Sequence, residues 1–90
     1  MRVDYGLFEG DKLIKKGVLV VAPQENMETS DNLNIKHRLL ADSAEITIEL
    51  FSSSVRLIKA TLDMPIHESD DWESIELDKF TLAFRCSLNA

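Results

Sequence analysis

From Phe80 to Leu88 the chain alternates without interruption. Phe80, Leu82, Phe84, Cys86 and Leu88 share one parity, and Thr81, Ala83, Arg85, Ser87 and Asn89 take the other. Successive side chains of a strand point to opposite faces, so this run predicts a strand with one buried face. That strand needs a hydrogen-bonded neighbour and a cover for its two phenylalanines, which sets the terms for the rest of the chain.

The same test applied elsewhere finds partners for it. Val3, Tyr5 and Leu7 alternate with Arg2, Asp4 and Gly6, which predicts a strand over 2–8. Gly10-Asp11 follows, and a leading glycine suits a two-residue hairpin turn of the mirrored type. Lys12–Ala22 then returns as a second strand. Its first half is cationic and its second half is apolar on both parities, which predicts a central place in a sheet. Gly17, at the switch, predicts a bulge. Pro23–Asp31 is polar and reads as a loop with room for one helical turn begun by the proline.

The middle of the chain supports two readings. Leu33, Ile35 and Leu39 share a parity, with His37 between them, whereas Leu33, Leu40, Ala41 and Ala44 also suit a helix begun at Ser30 or Asp31. Asn32, Asn34, Ile35 and His37 are poor helix formers, which favours the strand. After a turn at Asp42-Ser43, Ala44, Ile46, Ile48 and Leu50 alternate with Glu45, Thr47 and Glu49. Ser52-Ser53-Ser54 breaks the run. Val55 and Leu57 then share one parity and Ile58, Ala60 and Leu62 the other, the signature of a bulge; a helix over 55–63 is the competing reading. A second parity change falls at Asp78-Lys79.

Six or seven short strands at roughly ten-residue spacing predict a mainly β fold, a single small antiparallel sandwich or barrel spanning residues 1–90. The alternative is α+β, with an N-terminal hairpin and one helix within 31–62.

Charge bears on partners. The chain of 90 residues has a formal charge of −6, and seven of its sixteen acids fall between Ala60 and Asp78, where there is no Lys or Arg. The remainder is close to neutral. Nucleic-acid binding needs clustered cations, and Lys12/Lys15/Lys16 and Lys36/Arg38 are short groups with acids nearby, so no nucleic-acid partner is expected. The longest apolar run, Val18–Ala22, ends at Pro23, far short of the roughly twenty residues that span a bilayer, so no membrane partner is expected either. Met1-Arg2-Val3-Asp4 begins no apolar leader, and Cys86 is the lone cysteine. Both suit a reducing, cytoplasmic setting.

Catalytic readings are thin. Cys86 with His37 or His67 would make a thiol–imidazole pair, but Cys86 shares its parity with Phe84 and Leu88, where a cysteine serves as a small core residue. His67 stands among acids, yet neither a calcium loop nor the paired ligands of a zinc site is present, so no metal and no cofactor is expected. Gly6, Gly10 and Gly17 form no phosphate loop. The expectation is a non-enzymatic protein-interaction or inhibitory module. Its contact surface is the acidic 63–78 segment, with His67, Glu68, Asp70, Asp71, Trp72 and Glu73 as the binding residues. Its partner is a protein with a basic surface, or a second copy in a homodimer. The alternative is a small-molecule-binding β domain with a pocket lined by Tyr5, Trp72, Phe80 and Phe84.

Overall fold

In the computed structural model every segment of alternating apolar residues is a strand, and the strands form two antiparallel sheets of four. The structure describes residues 1–30, 32–65 and 71–87. In chain order the strands are β1 (Arg2–Glu9), β2 (Lys12–Val20), β3 (Asn26–Ser30), β4 (Leu33–Leu39), β5 (Ser43–Ser52), β6 (Val55–Pro65), β7 (Glu73–Leu77) and β8 (Phe80–Ser87). The fold is mainly β. No helix forms within 31–62 among the described residues, because β4, β5 and β6 occupy that stretch. Among the described residues no helix is long and apolar enough to cross a membrane. The chain divides into two compact units, residues 1–20 with 67–90 and residues 21–66.

The first unit holds sheet order β2-β1-β8-β7. The two ends of the chain pair at its centre, with Val3 opposite Cys86, Tyr5 opposite Phe84 and Leu7 opposite Leu82. All six are buried, so β1 and β8 together build one apolar face. β8 is buried at every second residue along its length, as its alternation requires. Gly10 takes φ 60° in the two-residue turn between β1 and β2, the left-handed backbone that a mirrored turn demands of its first residue. Asp78 takes φ 59° in the β7–β8 turn, a conformation aspartate tolerates better than most residues, and this turn is the parity change seen at Asp78-Lys79.

Two expectations for β2 are corrected. It is an edge strand and not a central one, and its second apolar parity, Val18 and Val20, is 44% and 59% exposed. The bulge lies at Ile14 and not at Gly17, since Leu7 faces Lys15 while Phe8 faces Leu13. Gly17 has a different reason. It sits opposite Tyr5, and a Cβ there would lie 2.9 Å from the tyrosine oxygen and 3.0 Å from ring carbon Cε1. The tyrosine ring covers the glycine, giving the strand the packing its missing side chain withholds.

The second unit is a four-strand meander, β3-β4-β5-β6. Leu33, Ile35 and His37 of β4 stand opposite Leu50, Ile48 and Ile46 of β5, and all six are buried. Ser53 and Ser54 both take positive φ, 50° and 70°, as a type I′ hairpin turn requires of its two central residues. The parity change after Leu57 is a bulge, because Leu50 faces Ile58 and Phe51 faces Arg56, leaving Leu57 unpaired. β3 replaces part of the expected loop. Asn26, Met27, Glu28 and Thr29 are all exposed, so this strand is held by its backbone pairing with β4 and has no apolar alternation to reveal it.

Candidate functional site

Of the six expected binding residues, His67, Glu68 and Asp70 lie outside the described residues. Asp71, Trp72 and Glu73 are described, exposed and consecutive, the first two just before β7 and Glu73 its first residue. Trp72 is 52% exposed. Its ring is not loose on the surface. The guanidinium carbon of Arg85 lies 5.0 Å from the ring centroid, within cation–π range.

Arg85 is itself held. It stands directly opposite Asp4 across the β8–β1 pair, and its Nη2 donates to Asp4 Oδ2 at 3.0 Å. Arg2, two residues before Asp4 on the same face of β1, donates from Nε to Oδ1 at 3.0 Å. Each carboxylate oxygen thus receives one charged donor, and charge-assisted hydrogen bonds are stronger than neutral ones. A relay runs from Arg2 and Asp4 on β1 through Arg85 on β8 to Trp72, the residue just before β7. It fixes a long cationic side chain that would otherwise sample many rotamers, and with it the indole that the cation covers.

The surroundings are apolar. Val18 stands opposite Asp4 and Val20 opposite Arg2 on the edge strand β2, both exposed. The face opposite the buried one therefore combines a fixed aromatic, two valines and a central arginine, the residue types enriched where proteins bind each other.

The Arg85 hydrogen bond is the main reason the Asp4 carboxyl lies below the ordinary aspartate value; Arg2 adds to it through its own hydrogen bond, both charges help, and burial opposes. A carboxyl depressed in the folded state stabilises the fold at pH above its unfolded value. That contribution is lost as the pH falls through the folded value. Asp4→Asn is expected to cost about 1 kcal/mol at pH 7 and less in strong acid, because the wild type loses the same interaction there. Urea unfolding of both proteins between pH 7 and pH 2 measures this. A difference that stays constant across that range would remove the charge from the explanation.

The four aromatic residues of the alternative pocket do not converge. Tyr5 and Phe84 are cross-strand partners on the buried face and Phe80 is buried on the same strand, whereas Trp72 lies over Arg85 on the opposite face. Cys86 is buried, and burial, followed by the nearby charge of Glu73, raises its thiol above the ordinary value. Such a thiol stays protonated and is a poor nucleophile at neutral pH. Among the described residues no group of three His, Cys, Asp or Glu side chains is placed to hold a metal ion. A groove of about 200 Å³ opens on the polar face of the second sheet beside Lys36, Thr47, Glu49, Lys59 and Thr61. Its volume is below the usual range for small-molecule sites.

Sequence reasoning singles out Trp72 and the acids around it but not Arg2, Asp4 and Arg85, which the structure brings to the tryptophan. Asp4 and Arg85 are 81 residues apart, and only the pairing of the terminal strands brings them together. The available signal was Arg85 itself, a charge on the polar parity of the strongest strand, with no partner nearby in sequence. Comparison with protein-family models, curated proteins and solved structures returns no match for this chain.

Proposed function

We propose that the chain is a non-enzymatic protein-binding module whose contact surface is the acidic 63–78 segment, centred on Trp72, with Asp71 preceding the tryptophan in the chain and Glu73 following it as the first residue of β7. The partner is a protein with a basic surface. One observation carries the reading: a half-exposed tryptophan is held under the guanidinium of Arg85, which is tied through Asp4 to Arg2. An exposed indole costs solvation free energy, and an arginine clamp that orders it in advance lowers the entropy lost on docking. Acids in the same segment speed encounter with a basic protein and select against acidic ones. The setting proposed is the cytoplasm, where a single buried thiol meets a reducing medium.

The test is affinity capture on immobilised chain from source-cell lysate, at low and high salt. Wild type is compared with Trp72→Ala and with the double substitution Asp71→Asn, Glu73→Gln. A bound protein should be lost with Trp72→Ala at either salt, whereas the amide variant should bind weakly at low salt and resemble wild type at high salt. Equal recovery by all three chains would end the proposal.

A further inference from the structure

The first sheet ends in two edges of opposite charge. Among the described residues β2 has β1 as its one sheet neighbour, and it carries Lys12, Lys15 and Lys16, all exposed. Among the described residues β7 has β8 as its one sheet neighbour, and it carries Glu73 and Glu76, with Asp78 in the turn that follows. Lys12, Lys15, Lys16, Glu76 and Asp78 enter none of the ion pairs among the described residues. An edge strand presents a row of backbone donors and acceptors to any strand that can reach it.

We propose that copies of this chain associate head to tail, β2 of one copy pairing with β7 of the next. The inference rests on the reading of the acidic segment as a contact surface, and it names the partner for that segment's strand: the lysine-bearing edge of a second copy. Strand direction supports it. β2 is antiparallel to β1, β1 to β8, and β8 to β7, so β2 and β7 run in opposite directions. A second copy in the same orientation therefore adds its β2 antiparallel to β7 and extends the sheet without reversing its pattern. Side-chain parity agrees. Lys16 and Glu76 both project from the face that carries Asp4 and Arg85, so setting one opposite the other keeps the apolar face of each copy on the same side.

Charge also excludes the symmetric alternatives. A twofold contact of β2 with β2 would bring two lysine-bearing edges together, and β7 with β7 two acidic ones. Like charges directly opposite in a sheet are destabilising. The lysines and the Ile14 bulge are devices that guard an edge strand against its own kind. Against an acidic strand the same lysines attract. A contact between two different surfaces does not close at two copies, so the product is a ring or an open chain of copies and never a simple dimer.

Sedimentation of the full chain across concentration, in low and high salt, tests this, with Lys16→Glu, Glu76→Lys and the double variant beside wild type. Circular dichroism confirms that each is folded. Wild type should pass beyond dimer as concentration rises in low salt. Each single variant should associate about tenfold more weakly, since it opposes like charges. The double variant, and an equimolar mixture of the two singles, should recover association. Wild type that stays monomeric, that stops at dimer, or whose association ignores both single substitutions would each overturn the inference. Because the contact-surface reading is judged separately by Trp72-dependent capture, a monomeric wild type that still captures its partner would discard the self-association alone.

Discussion

Phe84→Ala is expected to remove about 3–5 kcal/mol of stability, the usual cost of deleting a buried phenyl ring. Phe84 is 8% exposed and lies near the middle of β8, an interior strand of its sheet, with Tyr5 opposite on β1 and Glu73 opposite on β7. The neighbours that would have to close the cavity are themselves fixed. Tyr5 is pinned over Gly17, and strand pairing on both sides of β8 prevents the backbone from moving inward. Little relaxation means the full cavity cost is felt. A domain of this size has about 5–15 kcal/mol in all, so the loss moves the urea midpoint far and leaves the slope to be compared. Val55→Ala supplies the contrast. Val55 is 63% exposed at the start of β6, and its truncation should change stability by no more than about 0.5 kcal/mol. Equal midpoints for Phe84→Ala and wild type would show that β8 does not bury its alternating face.

These two residues also show where sequence carries structural information. Phe84 belongs to a run whose parity alone predicts burial, and β5 behaves the same way, with Ala44, Ile46, Ile48 and Leu50 buried and the residues between them not. The break at Ser53-Ser54 and the parity change at Leu57 were legible because a hairpin turn and a bulge each leave a local mark. Burial from the other side of a strand leaves none. Val18 and Val20 look like core residues in sequence, yet they are exposed because they project from the unburied face beside Asp4 and Arg2, while Leu19 between them is buried, and which parity of an apolar run meets the core is a non-local property. β3 was invisible for the converse reason: an exposed edge strand is stabilised by backbone hydrogen bonds that any residue except proline can make. The candidate site divides along the same line. An exposed tryptophan among acids stands out within a single segment, whereas its support, Arg85 on Asp4 on Arg2, exists only once β1 and β8 have paired. Chain-end pairing of this kind is fixed by which apolar faces fit together, and many strand orders satisfy the same alternation.

Replacing His37 with leucine is expected to stabilise the protein by about 1–3 kcal/mol, the cost of leaving a buried polar group without a hydrogen bond. His37 is 2% exposed on the apolar face of β4, opposite Ile46, and among the described residues neither ring nitrogen has a hydrogen-bond partner. Glu28 Oε2 is 3.5 Å from Nε2, longer than a good N–H···O bond, and the glutamate side chain is 52% exposed to water that solvates it already. Leucine is close to histidine in volume, fits the parity of Leu33 and Ile35, and requires no partner. His37→Ala separates the two effects: it also removes the unsatisfied nitrogens but leaves a cavity, so it should fall below His37→Leu by about 2 kcal/mol or more. Glu28→Gln should be nearly neutral, because the contact it alters is long and solvated. Urea unfolding at pH 7 ranks all four proteins. If both His37→Leu and Glu28→Gln lose more than about 1 kcal/mol, the histidine and glutamate form a stabilising ion pair, and the imidazole is held in the sheet by that charge and not tolerated at its expense.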